Sequence, residues 1–206
     1  MKDLWERLEA WGEKSGAGSL RLRKGATEKQ IAAAEKKMKL QFPKDFRASL
    51  LLHDGMASDE GEPGHFSWLP GCDPLKPLSA MVQQWVDERE MDDGDEGDGE
   101  VDGDDVRLKA ALHHEKRIPI AGSDYWDGDN TYIDFAPGSK GTAGQVITYT
   151  SECDLTVLGT SFRNALERYV SMLESGKLVW HEENGVVPKG KTDWNGNDAE
   201  AFAKMK

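Results

Sequence analysis

Hydrophobic positions recur along this chain with a helical period first, a strand period later and a helical period again towards the end. In residues 2–11, Leu4, Trp5, Leu8 and Trp11 fall at i, i+1, i+4 and i+7, one apolar stripe of a helix that Gly12 is expected to end. Residues 12–26 are rich in Gly, Ser and basic side chains and read as a loop. Within it, Leu20 and Leu22 alternate with polar neighbours as a very short strand would. Thr27 followed by Gln30 is a capping box, and Glu28 suits the positive end of a helix dipole. A second helix is therefore expected to run to about Lys39, burying Ile31, Ala34 and Met38. Pro43 fits the first turn of a third helix, where a missing N–H forfeits no bond. Phe46, Leu50 and Leu51 face inward on it, and Gly55 closes it. An irregular stretch, 56–77, carries the apolar patch Phe66, Trp68 and Leu69. Residues 79–90 form a fourth helix, with Met81, Val82, Trp85 and Val86 on one side.

The pattern then changes. Residues 106–115 read as a short helix or a return strand, and Arg117 to Ala121 is a strand whose Pro119 fits either a sheet edge or an irregular start. Thr131 to Phe135 and Gln145 to Thr150 are further strands, separated by the turn Ala136-Pro137-Gly138. Asp127 to Asn130 reads as a hairpin tip. Such spacing predicts an antiparallel meander. A strong helix follows over 161–175, where Phe162, Ala165, Leu166, Tyr169, Val170 and Leu173 share one face and Gly176 stops the run. The tail carries a short strand at 178–181 and a terminal helix from Asp198. The expected fold is α+β: a twisted, mainly antiparallel sheet with N-terminal helices and a long C-terminal helix packed against it. One domain spans residues 1–206, with an acidic flexible insertion at 92–105 and an additional tail at 177–206.

Charge changes this picture more than composition does. Of the fourteen residues 92–105, nine are Asp or Glu and none is Lys or Arg; without them the formal net charge of −12 becomes −3. One segment carries the field, and its sign excludes nucleic acid as a partner, because phosphate recognition needs clustered Lys and Arg. The N-terminal residues lack the apolar core of a signal peptide, and no stretch approaches the ~20 apolar residues that span a bilayer. A cytoplasmic protein without membrane contact is expected. Two distant cysteines, Cys72 and Cys153, fit a reducing compartment.

Catalytic motifs are missing. Cys72 precedes Asp73, and Cys153 lies between Glu152 and Asp154, which disfavours a thiolate at either. His113 and His114 are adjacent and point apart, so they make no metal site. Asp98, Glu100, Asp102 and Gly103 match the start of a calcium-binding loop, but its twelfth position is Lys109 where a bidentate Glu is required. Neither metal nor cofactor is expected. Glu35 and Asp134 read as surface or capping groups.

The candidate sites are therefore contact surfaces. The run Asp92, Asp93, Asp95, Glu96, Asp98, Glu100, Asp102, Asp104 and Asp105 is either an attractive surface for a basic protein or a solvated insertion. Asp124, Trp126, Asp127 and Asp129 form either an interface anchor or ordinary turn chemistry. Trp5, Trp11 and Trp85 lie on helical stripes and belong to the core, whereas Trp68 and Trp126 fall in loops and are candidates for contact.

Three segments follow one another in a specific order. The first is the capped helix with Ile31 and Glu35, then Phe42-Pro43-Lys44-Asp45-Phe46, then Leu50 to Gly55. The second runs from Ile118-Pro119-Ile120-Ala121 through Asp127-Gly128-Asp129, Ile133-Asp134 and Pro137-Gly138 to Gly144-Gln145-Val146-Ile147. The third is Thr160-Ser161-Phe162. Together they resemble the SUKH superfamily, which includes fungal cell-wall-assembly regulators and many bacterial immunity proteins. Phe42 stands where the family usually has Leu, and Arg117 where it often has Trp; the acidic run and the tail after Gly176 are outside the common pattern. The resemblance implies an α+β binding module without known catalytic residues. It implies a protein partner: a cognate toxin, of a basic nuclease type, that the chain neutralises, or alternatively a pathway in which it is a regulatory scaffold for cell-wall or signalling control.

Overall fold

A computed structural model describes residues 1–57, 66–91, 105–109, 114–122, 129–150, 155–194 and 197–205. Four helices come first: α1 (Lys2–Ser15), α2 (Glu28–Met38), α3 (Lys44–Leu52) and α4 (Leu78–Met91). Strands β1 (Arg117–Gly122), β2 (Asn130–Asp134), β3 (Gln145–Tyr149) and β4 (Leu155–Gly159) follow, then α5 (Phe162–Glu174). A hairpin of β5 (Leu178–His181) and β6 (Gly185–Pro188) and the short helix α6 (Asp198–Lys204) complete the chain. The four-stranded sheet is an antiparallel meander in the order β1-β2-β3-β4. Pro119 lies on the edge strand, as its missing donor requires, beside an irregularity in the ladder between Pro119 and Ala121.

Local chemistry sets most of the boundaries. The capping box is made: Gln30 N donates to Thr27 Oγ1 and Thr27 N donates to Gln30 Oε1 at 2.8 Å. Helix α1 passes through Gly12 and ends three residues later, at a left-handed Gly16 with φ 84°. Gly12 is instead a packing glycine, since a Cβ there would come within 2.5 Å of the Phe66 ring. Pro43 is the residue before α3 and not in its first turn. Leu51, expected inside, is 39% exposed, so only Phe46 and Leu50 of that set are buried. Strand β4 was hidden in the sequence because Leu155 to Leu158 is too short a run, without strict alternation, to stand out.

The sheet has two apolar faces. Ile118, Ile133, Val146 and Leu158 belong to the main core with α5, while Tyr132, Ile147, Tyr149, Leu155 and Val157 cluster on the other side. Phe162 is the centre of the main core. It stacks on Trp68 (centroids 5.6 Å apart, planes at 18°), meets Phe46 edge-on at 5.2 Å and approaches Trp5 at 6.4 Å. Trp68 is therefore not a surface residue, which corrects its assignment to a contact surface. It is fully buried, and its Nε1 donates to Asp73 O at 2.9 Å.

The tail is built into the same core. Arg168 on α5 donates to the carbonyls of Phe202 (2.6 Å) and Ala203 (3.0 Å) at the end of α6, and Val187, Ala199 and Phe202 are buried. No helix among the described residues is long and apolar enough to cross a membrane.

Two outcomes follow from this packing. Trp68→Ala is expected to lower the unfolding free energy by about 3–5 kcal/mol in urea titrations, as for other large aromatic truncations. Asp198, half-buried beside Asp193, has its carboxyl pushed up from 3.8 to about 6, by burial first and the neighbouring charge second. A carboxyl that holds its proton more tightly in the folded state makes stability fall as pH rises through that window. Asp198→Asn should flatten that part of the melting-temperature profile relative to the parent chain.

Candidate interaction site

The acidic run is tethered at both ends to well-packed structure. On one side it leaves α4. There Trp85 Nε1 donates to Glu115 O at 3.3 Å, Gln84 Nε2 donates to Asn130 Oδ1 at 2.8 Å and the Tyr132 hydroxyl donates to Glu88 Oε1 at 3.0 Å. Burial, then the Glu88 charge, holds the Tyr132 phenol well above its usual range, so it stays a donor. Arg89 lies over the Trp85 ring at 3.3 Å.

On the other side the chain returns as a strap, residues 105–109, with no regular secondary structure to satisfy its backbone. The sheet and the β2–β3 turn supply the partners. Lys140 N donates to Val106 O at 3.0 Å, and Arg107 O accepts from Gly138 N and from Gln145 Nε2, both at 2.9 Å. Arg117 Nη2 donates to Lys109 O at 3.0 Å. Gly138 lets the strap approach this closely, because a Cβ there would lie 2.4 Å from Leu108 O.

Beneath the strap is an ion pair without solvent exposure. Arg117 and Asp134 face each other across the β1–β2 ladder, both 0% exposed, with Nε 3.4 Å from Oδ1. Asp134 also accepts from Gln145 Nε2 (3.0 Å) and Ala136 N (2.9 Å). Asp134 is thus neither a surface group nor a simple cap, and the expectation for it is corrected. Its turn-directed contact to Ala136 N is only one part of a buried network. Glu35 is half-buried and ties the connection instead of capping a helix: it accepts from Phe42 N at 3.0 Å and from Arg47 Nη1 at 2.7 Å, fixing the step from α2 to α3. Sequence reasoning missed the Arg117–Asp134–Gln145 network. The available signal was an Arg and an Asp at matched positions on the two arms of one hairpin.

Of the predicted contact residues, Asp105 and Asp129 are described, and the structure does not bring them together. Asp105 sits by the strap at the β2–β3 turn, Asp129 at the opposite end of β2, a strand rise of about 13 Å away. Asp105 is already paired, with Arg107 Nη2 2.5 Å from Oδ2, and that guanidinium holds its carboxyl below the usual range. Asp92, Asp93, Asp95, Glu96, Asp98, Glu100, Asp102 and Asp104 lie outside the described residues, as do Asp124, Trp126 and Asp127.

Of the cysteines and the adjacent histidine pair singled out in the sequence, Cys72 and His114 are described. Burial raises the Cys72 thiol to about 12, while Cys153 and His113 are outside the described residues. Burial, with Lys109 and Arg117 nearby, lowers the His114 pKa, and its Nδ1 accepts from Lys116 N. Among the described residues no group of three or more His, Cys, Asp and Glu side chains is arranged to hold a metal ion.

Removing one member of the buried pair leaves the other uncompensated. Asp134→Ala should cost about 3–5 kcal/mol of unfolding free energy, with faster hydrogen exchange in residues 106–109. Pairing Arg117→Met with Asp134→Leu should recover most of that loss, measured by the same denaturation series.

Comparison with known proteins gives this geometry its context. The family model described as SMI1 / KNR4 family (SUKH-1) matches residues 25–168. A glucan synthesis regulatory protein of Neurospora crassa is 24% identical over 87% of this chain and 39% of its own length. A cell wall biosynthesis/cell cycle regulator of Schizosaccharomyces pombe is 24% identical over 89% of this chain and 38% of its own length. The chain thus spans about two fifths of the length of these curated relatives.

Proposed function

The chain belongs to the SMI1/KNR4 family (SUKH-1), and on that premise we propose that it is a non-catalytic binding module whose acidic segment captures a basic protein partner. The observation that carries this reading is charge placement. Nine carboxylates fall within fourteen residues of a chain that is otherwise close to neutral, eight of them between α4 and the strap and the ninth, Asp105, opening the strap itself. Such a segment projects a field beyond its own contacts and raises the encounter rate with a complementary surface. A toxin that acts on nucleic acid offers such a surface in its substrate cleft. The chain then works as an immunity protein in the cytoplasm, neutralising that toxin by occupying the cleft.

The two fungal relatives, a glucan synthesis regulator and a cell wall biosynthesis/cell cycle regulator, favour a second reading, a regulatory module in cell-wall control. The two readings share the binding surface and differ in the partner. Co-expression with the product of a neighbouring gene separates them: relief of that product's toxicity supports the immunity reading, and retention of a non-toxic partner supports the regulatory one.

Deleting residues 92–104 tests the surface itself. Affinity for the captured partner should fall at least tenfold, and its dependence on salt should shrink, because screening at ~0.15 M acts over about 8 Å. An unchanged affinity with an unchanged salt slope would make the run a solvated insertion and end this reading.

A further inference from the structure

A second feature lies away from the acidic run. Helix α5, the Ser67–Gly71 turn, the tip of the β5–β6 hairpin and the start of α6 enclose a cavity of about 180 Å³. Ser67, Gly71, Tyr169, Asn184 and Asp198 contribute to its lining. We infer that this cavity is a receptor for one organic cation, an alkylammonium or guanidinium group.

Three observations carry the inference. First, Asp198 brings the only formal charge among the described residues that line the cavity, and it is negative. Its carboxyl is half-buried with the charge of Asp193 nearby, so a cation would relieve both burdens on it. Second, the neutral polar groups are set to accept. Ser67 Oγ spends its proton on Cys72 O at 2.7 Å, which leaves its lone pairs to accept, and Asn184 Nδ2 donates to Thr192 O at 2.8 Å, with Oδ1 available as an acceptor beside the second amide N–H. Third, the Tyr169 hydroxyl is fully buried and has no hydrogen-bond partner among the described residues. Tyr169 itself is one of the residues that line the cavity.

Size and chemistry narrow the occupant. Pockets for drug-sized ligands run to about 300–1,000 Å³, so this one takes a group the size of a single side chain. The described residues hold no cluster of three metal-ligating side chains, which favours an organic cation over a metal ion. Ser67 and Gly71 lie within the family match, whereas Tyr169, Asn184 and Asp198 follow residue 168, where that match ends.

The test is an NMR titration of the full chain at physiological ionic strength with butylguanidinium, using butylurea as the neutral control. Saturable shifts confined to Gly71, Asn184, Gly185 and Asp198, absent with butylurea, are expected. Asp198→Asn should weaken binding at least tenfold and Tyr169→Phe severalfold, each with an otherwise unchanged spectrum. A peptide with one internal arginine that binds as tightly as butylguanidinium identifies a protein side chain as the source; a tenfold weaker peptide identifies a free small cation. Shifts scattered over surface carboxylates, an equal response to butylurea, or undiminished affinity in Asp198→Asn overturn the inference. None of these results bears on the acidic run, whose deletion is read separately.

Discussion

Two opposite charges are held out of water where β1 and β2 pair, and the strap of residues 105–109 is anchored beside them. Arg117 and Asp134 have no solvent to stabilise them, so their mutual attraction and the surrounding hydrogen bonds must offset the desolvation. That demand recruits Gln145 from β3, Ala136 from the turn and the carbonyl of Lys109 from the strap. The strap is a consequence of the pair. A short segment without helix or strand lies flat on the sheet because buried side chains satisfy carbonyls that would otherwise face a low-dielectric interior. A buried network of this kind specifies one geometry, and here that geometry fixes where the acidic run rejoins the fold.

A different logic holds the main core. Phe162 collects Trp5, Phe46 and Trp68, so the start of α5 ties the first helices and the Ser67–Gly71 turn to the sheet. Polar contacts reinforce the same point, since Asp45 Oδ2 accepts from Arg163 N at 2.8 Å in the first turn of α5. The segments that resemble the family in sequence are the ones that meet here: the Asp45-Phe46 step, the strands and the Ser161-Phe162 step.

The helices and three of the four sheet strands were legible in the sequence because their signals are local. The Thr27–Gln30 box and six of the seven inward positions of α5 are read within a few residues of one another, whereas the Ser161 cap and buried Met172 appear only in the structure. What was not legible depends on distant partners. Trp68 lies in a loop and gives no sign of the ring of Phe162 above it. Gly12 looks like a helix stop until Phe66 is placed against it. Asp134 looks like a surface carboxylate until the hairpin register sets it opposite Arg117. The C-terminal cavity required four separate segments to converge, which no periodicity could announce.

The central claim is that the chain binds protein through the segment held between α4 and the strap. Hydrogen exchange on the full chain, with and without its captured partner at physiological salt, addresses it most directly. The account predicts that new protection appears in residues 88–109 and leaves α2 and α3 unchanged. Protection centred on α2 and α3, with none in residues 88–109, would contradict it.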